Sequence, residues 1–207
     1  MAALQRRHNE QVHPRWEKQG YEYYRAVWVE CAELLDHFGW KWWKRQDSDL
    51  DQVRLEIVDI WHFGLSELLR RNEVDLALAG RLRAALTDDD SSLPDFRVAV
   101  EELARSSLAS KGFDIEAFAA VMRALPMSFD ELYEIYVAKN ILNAFRQDHG
   151  YKTGDYIKVW NGREDNEHLS EILRELDPRA KSFATDVGRA LAERYAALPG
   201  ALPGKDG

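Results

Sequence analysis

The amino-acid sequence predicts an all-α protein, and three observations support this fold class. Apolar residues recur with the spacing of an amphipathic helix through most of the 207 residues. Runs in which β-branched residues alternate with polar ones, the pattern of a half-buried strand, are nearly absent. Prolines, which interrupt helices, number only six, and two of these lie in the C-terminal segment LPGALPGKDG.

Breaks in this periodicity separate the predicted helices. Asp114 and Ser128 stand where N-caps are expected, and Glu131 follows Ser128 at the spacing of a capping box. Pro178 is expected to break the last helix, since proline cannot continue the backbone hydrogen bonding. The predicted helices cover residues 3–10, 16–37, 50–72, 75–86, 93–110, 114–125, 128–147 and 166–197.

The remaining segments complete the predicted organisation. Residues 87–92 read as a loop, and residues 150–166 have no helical period, being too polar for core but unusually aromatic for a linker. We expect a single all-α domain over residues 1–197, followed by a disordered tail over residues 198–207. Its parts would be a carboxylate-bearing helix pair (16–72), a helical middle without a recognisable pattern (75–127) and a basic segment (128–166).

Composition excludes several classes of protein. Lys plus Arg number 28 and Asp plus Glu 36, giving a formal charge of −8, which argues against binding to nucleic acid or to a membrane surface. Cys31 is the single cysteine, so no intramolecular disulfide can form, as is typical of a reducing compartment. With no apolar signal segment or membrane-length run in the sequence, we expect a soluble, cytoplasmic protein.

Two of the predicted helices carry carboxylates on one face. In WVECAELLDHF, Glu30 and Glu33 fall roughly 60° apart around the helix axis. In RLEIVDIWHFGLSELL, apolar residues surround nearly the whole helix, which predicts burial, and Glu56, Asp59 and His62 form a polar stripe. A buried carboxylate is unfavourable unless it is paired or bound to a cation, and no Lys or Arg lies three or four residues from Glu56 or Asp59.

The four carboxylates are expected to converge, because the interval between Glu33 and Glu56 is long enough for a turn and an antiparallel helix. Carboxylate ligands alone suit a hard cation, Mg²⁺ or Mn²⁺. A solvated helix edge is an alternative for Glu30 and Glu33, since ExxE is common on exposed helices, but it fits the apolar helix of Glu56 and Asp59 less well.

Two further alternatives concern histidine. His62 by itself is typical of a hydrogen-bonded core residue, so we place it next to the site rather than among the ligands. A ferritin-like di-iron centre requires Glu-x-x-His pairs. Only Asp59 is followed by a histidine three residues later, so the sequence matches that pattern poorly.

A basic stripe follows in AKNILNAFRQDHGYK. Lys139, Asn143 and Arg146 recur at i, i+4 and i+7, hence on one helix face, and Lys152 and Lys158 follow in the glycine-bearing segment. In an acidic protein this concentration of donors predicts a polyphosphate site. The alternative is an ordinary solvated helix face followed by a loop.

Taken in order, these motifs resemble the dimeric dUTPases (dUTP diphosphatases) of the all-α NTP pyrophosphatase superfamily. The resemblance spans nearly the whole chain except residues 75–127, and it lies in four stretches: LQRRHN, WVECAELLDHFGWKWWK, EIVDIWHF and KNILNAFRQDHGYKTGDYIKVWNGREDN. It implies a helical bundle-like core with a mobile helical lobe and a homodimer. The implied activity is Mg²⁺-dependent hydrolysis of dUTP and dUDP between the α- and β-phosphates to dUMP, releasing pyrophosphate or phosphate.

The resemblance also implies residue roles, with Glu30 orienting and deprotonating the attacking water. We expect one or two of the three tryptophans of WKWWK, together with Trp28 and Trp61, to pack in the core instead of meeting the base. The implied sets are Glu30, Glu33, Glu56 and Asp59 for the metal; Lys139, Asn143, Arg146, Lys152 and Lys158 for the phosphates; and Gln5, Asn9, Trp42 and His62 for the base and sugar.

Two other functions stay open from the sequence. A MazG-type pyrophosphohydrolase would keep the fold and the metal but act on other or damaged nucleoside triphosphates. A catalytically silent helical interaction module would bind no nucleotide with Mg²⁺, and it would have no need for four carboxylates.

Overall fold

The structure is a computed structural model that describes residues 1–87 and 94–200, and nearly all of its regular structure is helical. The all-α prediction is therefore confirmed. The helices are α1 (Ala2–Val12), α2 (Tyr23–Phe38), α3 (Leu50–Arg70), α4 (Leu76–Thr87), α5 (Phe96–Ser110), α6 (Ile115–Ala124), α7 (Phe129–Asp148), α8 (Asp165–Glu175) and α9 (Phe183–Ala196). Short 3₁₀ turns cover Trp16–Lys18 and Tyr151–Thr153, and a hairpin pairs β1 (Val159–Trp160) with β2 (Arg163–Glu164).

Side-chain caps explain where several helices begin. The carboxylate of Asp49 accepts from the backbone N–H of Gln52 at the start of α3, and Asp114 caps α6 in the same way as predicted. The predicted capping box is also present: Ser128 Oγ accepts from the N–H of Glu131, whose carboxylate accepts from the N–H of Ser128.

The helix predicted over residues 16–37 is wrong at its start. The chain forms only a 3₁₀ turn at Trp16–Lys18, and α2 begins at Tyr23. Between them Gly20 has a φ of +68°, a left-handed conformation that interrupts a right-handed helix. The last predicted helix is broken as expected, since α8 ends at Glu175, before Pro178, and α9 begins at Phe183.

The chain divides into two compact units, Met1–Tyr133 and Glu134–Gly207. In the first unit α3 is the central helix and packs against α1 and α2, while α5 packs against α2 and α6. The side chains that α3 buries include those of Val53, Leu55, Ile57, Val58 and Ile60. The predicted burial of this helix is confirmed, and it places the polar stripe of α3 among packed neighbours.

The second unit is built around aromatic side chains from α7, the hairpin and α9. Tyr156 and Tyr195 stack with ring centroids 5.3 Å apart, and Phe145 meets Tyr195 edge to face at 5.3 Å. Trp160 is fully buried and donates from its indole nitrogen to the carbonyl of Ile157. The expectation that residues 150–166 are too polar for core is therefore wrong, because their aromatic residues supply much of this unit's core.

Parts of two predictions lie outside the described residues: the loop at 88–92 and the tail at 201–207. Among the helices that are described, none is long and apolar enough to cross a bilayer.

Candidate functional site

The first unit brings carboxylates of α2 and α3 together. One carboxylate oxygen from each of Glu30, Glu33 and Glu56 lies within 4.8 Å of the others. Glu56 is only 3% exposed and Glu30 is half-buried, whereas Glu33 is exposed. The solvated-edge alternative therefore fits Glu33 but does not describe the buried side of the cluster. Asp59 lies close enough that its charge acts on Glu30.

Negative charges lie close together in this acidic cluster, and burial limits their solvation. Burial is the largest cause that raises the pKa of Glu30 to about 9. The negative charges of Asp59, Glu56 and Glu33 and a hydrogen bond with Glu56 raise it further. His37 Nε2 lies 3.7 Å from Glu56 Oε1 at the edge of the cluster. A divalent cation among these oxygens would neutralise charges that otherwise repel one another.

Buried polar side chains of α1 and α3 form a second cluster in the same unit. Gln5 Nε2 donates to Asn9 Oδ1 and to Ser66 Oγ, both at 3.0 Å, and Asn9 Nδ2 donates to Ser66 Oγ at 3.1 Å. Ser66 in turn donates to the carbonyl of His62. The two amides predicted to face the base are thus fixed by one hydroxyl.

His62 is buried and hydrogen-bonded, as expected of a core histidine. Its Nδ1 lies 2.9 Å from the carbonyl oxygen of Val58 and 3.8 Å from Asp59 Oδ1. Because a carbonyl only accepts, Nδ1 carries the proton, and in the neutral ring Nε2 is the acceptor.

The tryptophan-bearing turn after α2 is held by specific contacts. Gln46 Oε1 accepts from the backbone N–H groups of Trp40 (3.0 Å) and Lys41 (2.7 Å). Arg97 donates from Nε and Nη2 to the carbonyl of Gly39, where α2 ends. The turn leaves Trp42 90% exposed, available to stack on a planar ligand.

The core-packing expectation for these tryptophans is wrong except at one position. Trp61 is buried as predicted, whereas Trp28, Trp40, Trp42 and Trp43 are all exposed. The indole of Trp40 instead donates to Asp36 Oδ1 at 2.8 Å, and the rings of the turn pack edge to face on one another. Few apolar side chains are needed to hold a turn whose backbone is already tied by Gln46.

In the second unit the basic stripe of α7 is buried at Lys139 and half-buried at Asn143 and Arg146. Lys139 is fully buried and donates from Nζ to Asn166 Oδ1 at 2.7 Å. Arg146 donates from Nε and Nη2 to the two oxygens of Asp165, both at 2.8 Å, and from Nη1 to Asn143 Oδ1 at 3.0 Å. The alternative of an ordinary solvated helix face does not describe these three residues.

The two lysines of the glycine-bearing segment lie at its surface. Lys158 pairs with Glu164 at 2.8 Å, and its charge interacts with those of Arg146 and Asp165. Lys152 lies in the 3₁₀ turn Tyr151–Thr153 and is exposed. The predicted phosphate set thus comprises a buried group on α7 and two exposed cations in the segment that follows.

A protein-family model described as dUTPase matches residues 1–151. The chain belongs to the all-α dUTPase family. It is accordingly a dUTP diphosphatase, an enzyme that hydrolyses dUTP. The match covers α1 through α7, including the acidic cluster and the basic residues of α7. A search of curated proteins finds no match to the chain.

The acidic cluster fits the divalent metal that a dUTPase typically uses. Two ligands on opposite sides of Mg²⁺, each at about 2.1 Å, are about 4.2 Å apart. The spread of 4.8 Å among the oxygens of Glu30, Glu33 and Glu56 is close to that span. The donors are all carboxylate oxygens, which a hard cation prefers.

Sequence reasoning missed several residues of these clusters in the dUTPase. His37 lies four residues after Glu33, and Ser66 four residues after His62, so helical spacing could have found both. Asp165 and Asn166 meet Arg146 and Lys139 from a different element. No local spacing reveals such a long-range contact.

Proposed function

We propose that this dUTPase hydrolyses dUTP to dUMP and pyrophosphate, and dUDP to dUMP and phosphate, in a reaction that depends on Mg²⁺. The observation that carries the proposal is the approach of the oxygens of Glu30, Glu33 and Glu56 to within 4.8 Å of one another. Carboxylate oxygens gathered this closely suit a divalent cation, and the substrate of a dUTPase brings phosphates that such a cation binds.

In the proposed reaction Glu30, Glu33, Glu56 and Asp59 hold the ion, with Mn²⁺ as a substitute for Mg²⁺. When bound, the ion supplies positive charge that polarises the phosphate oxygens and the attacking water. Glu30 accepts a proton from that water, whose oxygen forms a bond to phosphorus as the bridging bond between the α- and β-phosphates breaks. The leaving pyrophosphate, or phosphate from dUDP, takes the electrons of the broken bond.

Phosphate binding is assigned to the basic residues of the second unit: Lys139, Asn143, Arg146, Lys152 and Lys158. Support comes from the way their donors are held, since buried partners fix Lys139 and Arg146 before any ligand arrives. Donors fixed in advance need no reorganisation when charge develops in the transition state.

Base and sugar recognition is assigned to Gln5, Asn9, Trp42 and His62. The buried amides of Gln5 and Asn9 are tied to Ser66, which gives them a defined donor and acceptor direction. Amides fixed in this way distinguish bases by the hydrogen bonds that a wrong base leaves unmade.

We also propose that the enzyme is a cytoplasmic homodimer. The resemblance to the dimeric dUTPases supports this pairing. So do two large apolar side chains of α2, since Trp28 and Val29 are 39% and 38% exposed. Light scattering coupled to gel filtration measures the mass directly, and a monomer at micromolar concentration would contradict the dimer. A single cysteine supports a reducing compartment.

The test is nucleotide turnover with Mg²⁺ and again with EDTA. We expect pyrophosphate release from dUTP and dUMP formation from dUDP, both abolished by EDTA, with dCTP and dTTP far poorer. Comparable turnover of dCTP or dTTP would instead support a MazG-type pyrophosphohydrolase. No turnover of any nucleotide would overturn the proposal.

A pair of variants ties turnover to the acidic cluster. Glu56→Gln removes a charge from the cluster and is expected to lower kcat for dUTP at least a hundredfold with the fold retained. Glu102→Gln is the control, because Glu102 is an exposed acid that pairs with Arg105 on the same unit. A fully active Glu56→Gln enzyme would remove the basis of the metal assignment.

A further inference from the structure

The contact between Arg146 and Asp165 suggests a role that the phosphate assignment leaves out. Asp165 is completely buried and accepts from Nε and Nη2 of Arg146, both at 2.8 Å. Such a two-point, charge-assisted pair fixes the plane of the guanidinium as well as its position. A charged side chain is placed in the interior here although a salt bridge at the surface would avoid the desolvation cost.

The donors of Arg146 are divided unequally by this arrangement. A guanidinium has five N–H groups. The one on Nε goes to Asp165, and the two on Nη2 go to Asp165 and to Asn166 Oδ1, the latter at 3.1 Å. Nη1 donates to Asn143, itself a predicted phosphate ligand. These contacts fix the plane of the guanidinium and place it beside Asn143.

Asp165 also accepts a hydrogen bond from a residue other than Arg146. The hydroxyl of Tyr156 donates to Asp165 Oδ2 at 2.8 Å. Burial acts to raise the pKa of Asp165, but the hydrogen bonds and charge of Arg146, followed by the hydroxyl of Tyr156, outweigh it and leave that pKa below its usual value. The carboxylate is thus ionised wherever the enzyme is folded near neutral pH.

Asp165 also sets the charge of the buried group. Lys139 and Arg146 both donate to the same oxygen of Asn166, so two positive charges lie close together in the interior. The charge of Lys139 acts on Asp165 as well. The carboxylate of Asp165 lowers the repulsion between these two cations and so lets them stay close together.

We propose that Asp165 is a positioning residue for phosphate binding: it orients the guanidinium of Arg146, with Tyr156 as its support, for contact with the substrate's phosphate chain. This inference rests on the proposed function, in which Arg146 binds the phosphates. Asp165 itself touches no substrate, and its effect passes entirely through Arg146.

The test is a double-mutant cycle on dUTP turnover with Arg146→Lys and Asp165→Asn. Lysine keeps the charge but cannot make the two-point pair. We expect each single variant to lower kcat/KM by 10- to 100-fold, since small misplacements of a positioning group have effects of that size. Both changes disable the same guanidinium. The kcat/KM of the double variant is therefore expected to lie within threefold of that of the worse single variant. Losses that multiply would overturn the proposal.

Three further variants separate positioning from folding. Asp165→Glu restores a carboxylate and is expected to recover part of the lost kcat/KM. Tyr156→Phe keeps the Arg146–Asp165 pair and is expected to cost two- to fivefold. Asp186→Asn removes the carboxylate of another Asp–Arg pair of 2.8 Å in this unit, that with Arg189, and is expected to leave turnover unchanged. An Asp165→Glu enzyme no better than Asp165→Asn, at equal thermal stability, would count against the orienting role.

Binding of inorganic tripolyphosphate, measured by calorimetry on the metal-free enzyme, distinguishes this inference from the proposed function. Tripolyphosphate binding that Asp165→Asn weakens at least tenfold supports the positioning role even if the wild-type enzyme fails to hydrolyse dUTP. The opposite result has two parts: the wild-type enzyme hydrolyses dUTP, and Asp165→Asn changes neither tripolyphosphate binding nor kcat/KM. That result would uphold the proposed function and overturn this inference.

Discussion

Gly64 of α3 lies directly against the ring of Phe113: a Cβ built on this glycine would be 2.5 Å from ring carbon Cε2. Contacting carbon atoms normally stay about 3.5–4.0 Å apart. The ring cannot easily move away, because it packs against Trp61 and Phe118 with centroids 6.0 and 5.4 Å distant. The absence of a side chain at position 64 is therefore what allows the segment before α6 to close on α3.

Gly64→Ala is expected to destabilise the enzyme by about 1–3 kcal/mol, the range for overpacking a core. Gly80→Ala is the matched control, since Gly80 also lies inside a helix but no atom comes within 4 Å of a Cβ built there. That change is expected to stabilise by about 0.5–1 kcal/mol through helix propensity. Urea unfolding of both variants measures the difference, and a Gly64→Ala protein as stable as wild type would contradict the packing argument.

Stability of the metal-free enzyme is expected to fall as pH rises from about 5 to about 9. The pKa of Glu30 is raised from 4.5 to about 9 by burial and by the neighbouring carboxylates. Within that window the folded state keeps a proton that the unfolded state has released, so each rise in pH favours unfolding. The melting temperature in EDTA at pH 6 and pH 8.5 measures the fall.

Two comparisons isolate this effect. Glu30→Gln removes the titrating group, so its melting temperature is expected to depend less on pH than that of the wild-type enzyme. Addition of Mg²⁺ is expected to raise the wild-type melting temperature most at high pH, where repulsion among the carboxylates is greatest. Identical pH profiles for wild type and Glu30→Gln would show that the cluster is not crowded as described.

Element type was predictable in this chain because helical periodicity and caps act locally. Asp114 and Ser128 were recognised as N-caps, and α3 was recognised as buried from its own residues alone. The hairpin was missed although Asn161 and Gly162 form an Asn-Gly pair, the usual signal of a tight hairpin turn. Both residues have positive φ, +50° and +86°.

The candidate site was predictable only where its residues share a helix face. The acids of α3 stand out in the sequence because no Lys or Arg lies three or four residues from Glu56 or Asp59. Asp165 gives no such signal, since its partner Arg146 is nineteen residues away on another element. Tryptophan exposure was also mispredicted, because a turn tied by Gln46 and Arg97 can present large apolar rings to solvent.

Trp42→Ala is expected to weaken dUTP binding while leaving the fold intact. The side chain is 90% exposed, so its removal takes away little packing. Loss of one base–aromatic stacking contact costs about 1–3 kcal/mol, or roughly 5- to 150-fold in KM. Leu76→Ala is the control, because Leu76 is 91% exposed in the same unit and lies outside the predicted base set. An unchanged KM for dUTP in Trp42→Ala would show that Trp42 does not contact the base.

Glu67→Gln is expected to destabilise the enzyme far more than Glu102→Gln, although both acids accept two hydrogen bonds from an arginine three residues later. Glu67 is 3% exposed and also accepts from Arg71 Nε at 2.6 Å.

Breaking a fully buried pair costs about 3–5 kcal/mol. Arg70 and Arg71 keep 31% and 37% of their side chains exposed, so we expect about 2–4 kcal/mol. The pair of Glu102 and Arg105 lies in solvent at 50% and 67% exposure, where water and salt screen the attraction and the bridge contributes little to stability. Urea unfolding of the two variants compares the same chemistry at two burials, and equal losses would contradict burial as the cause.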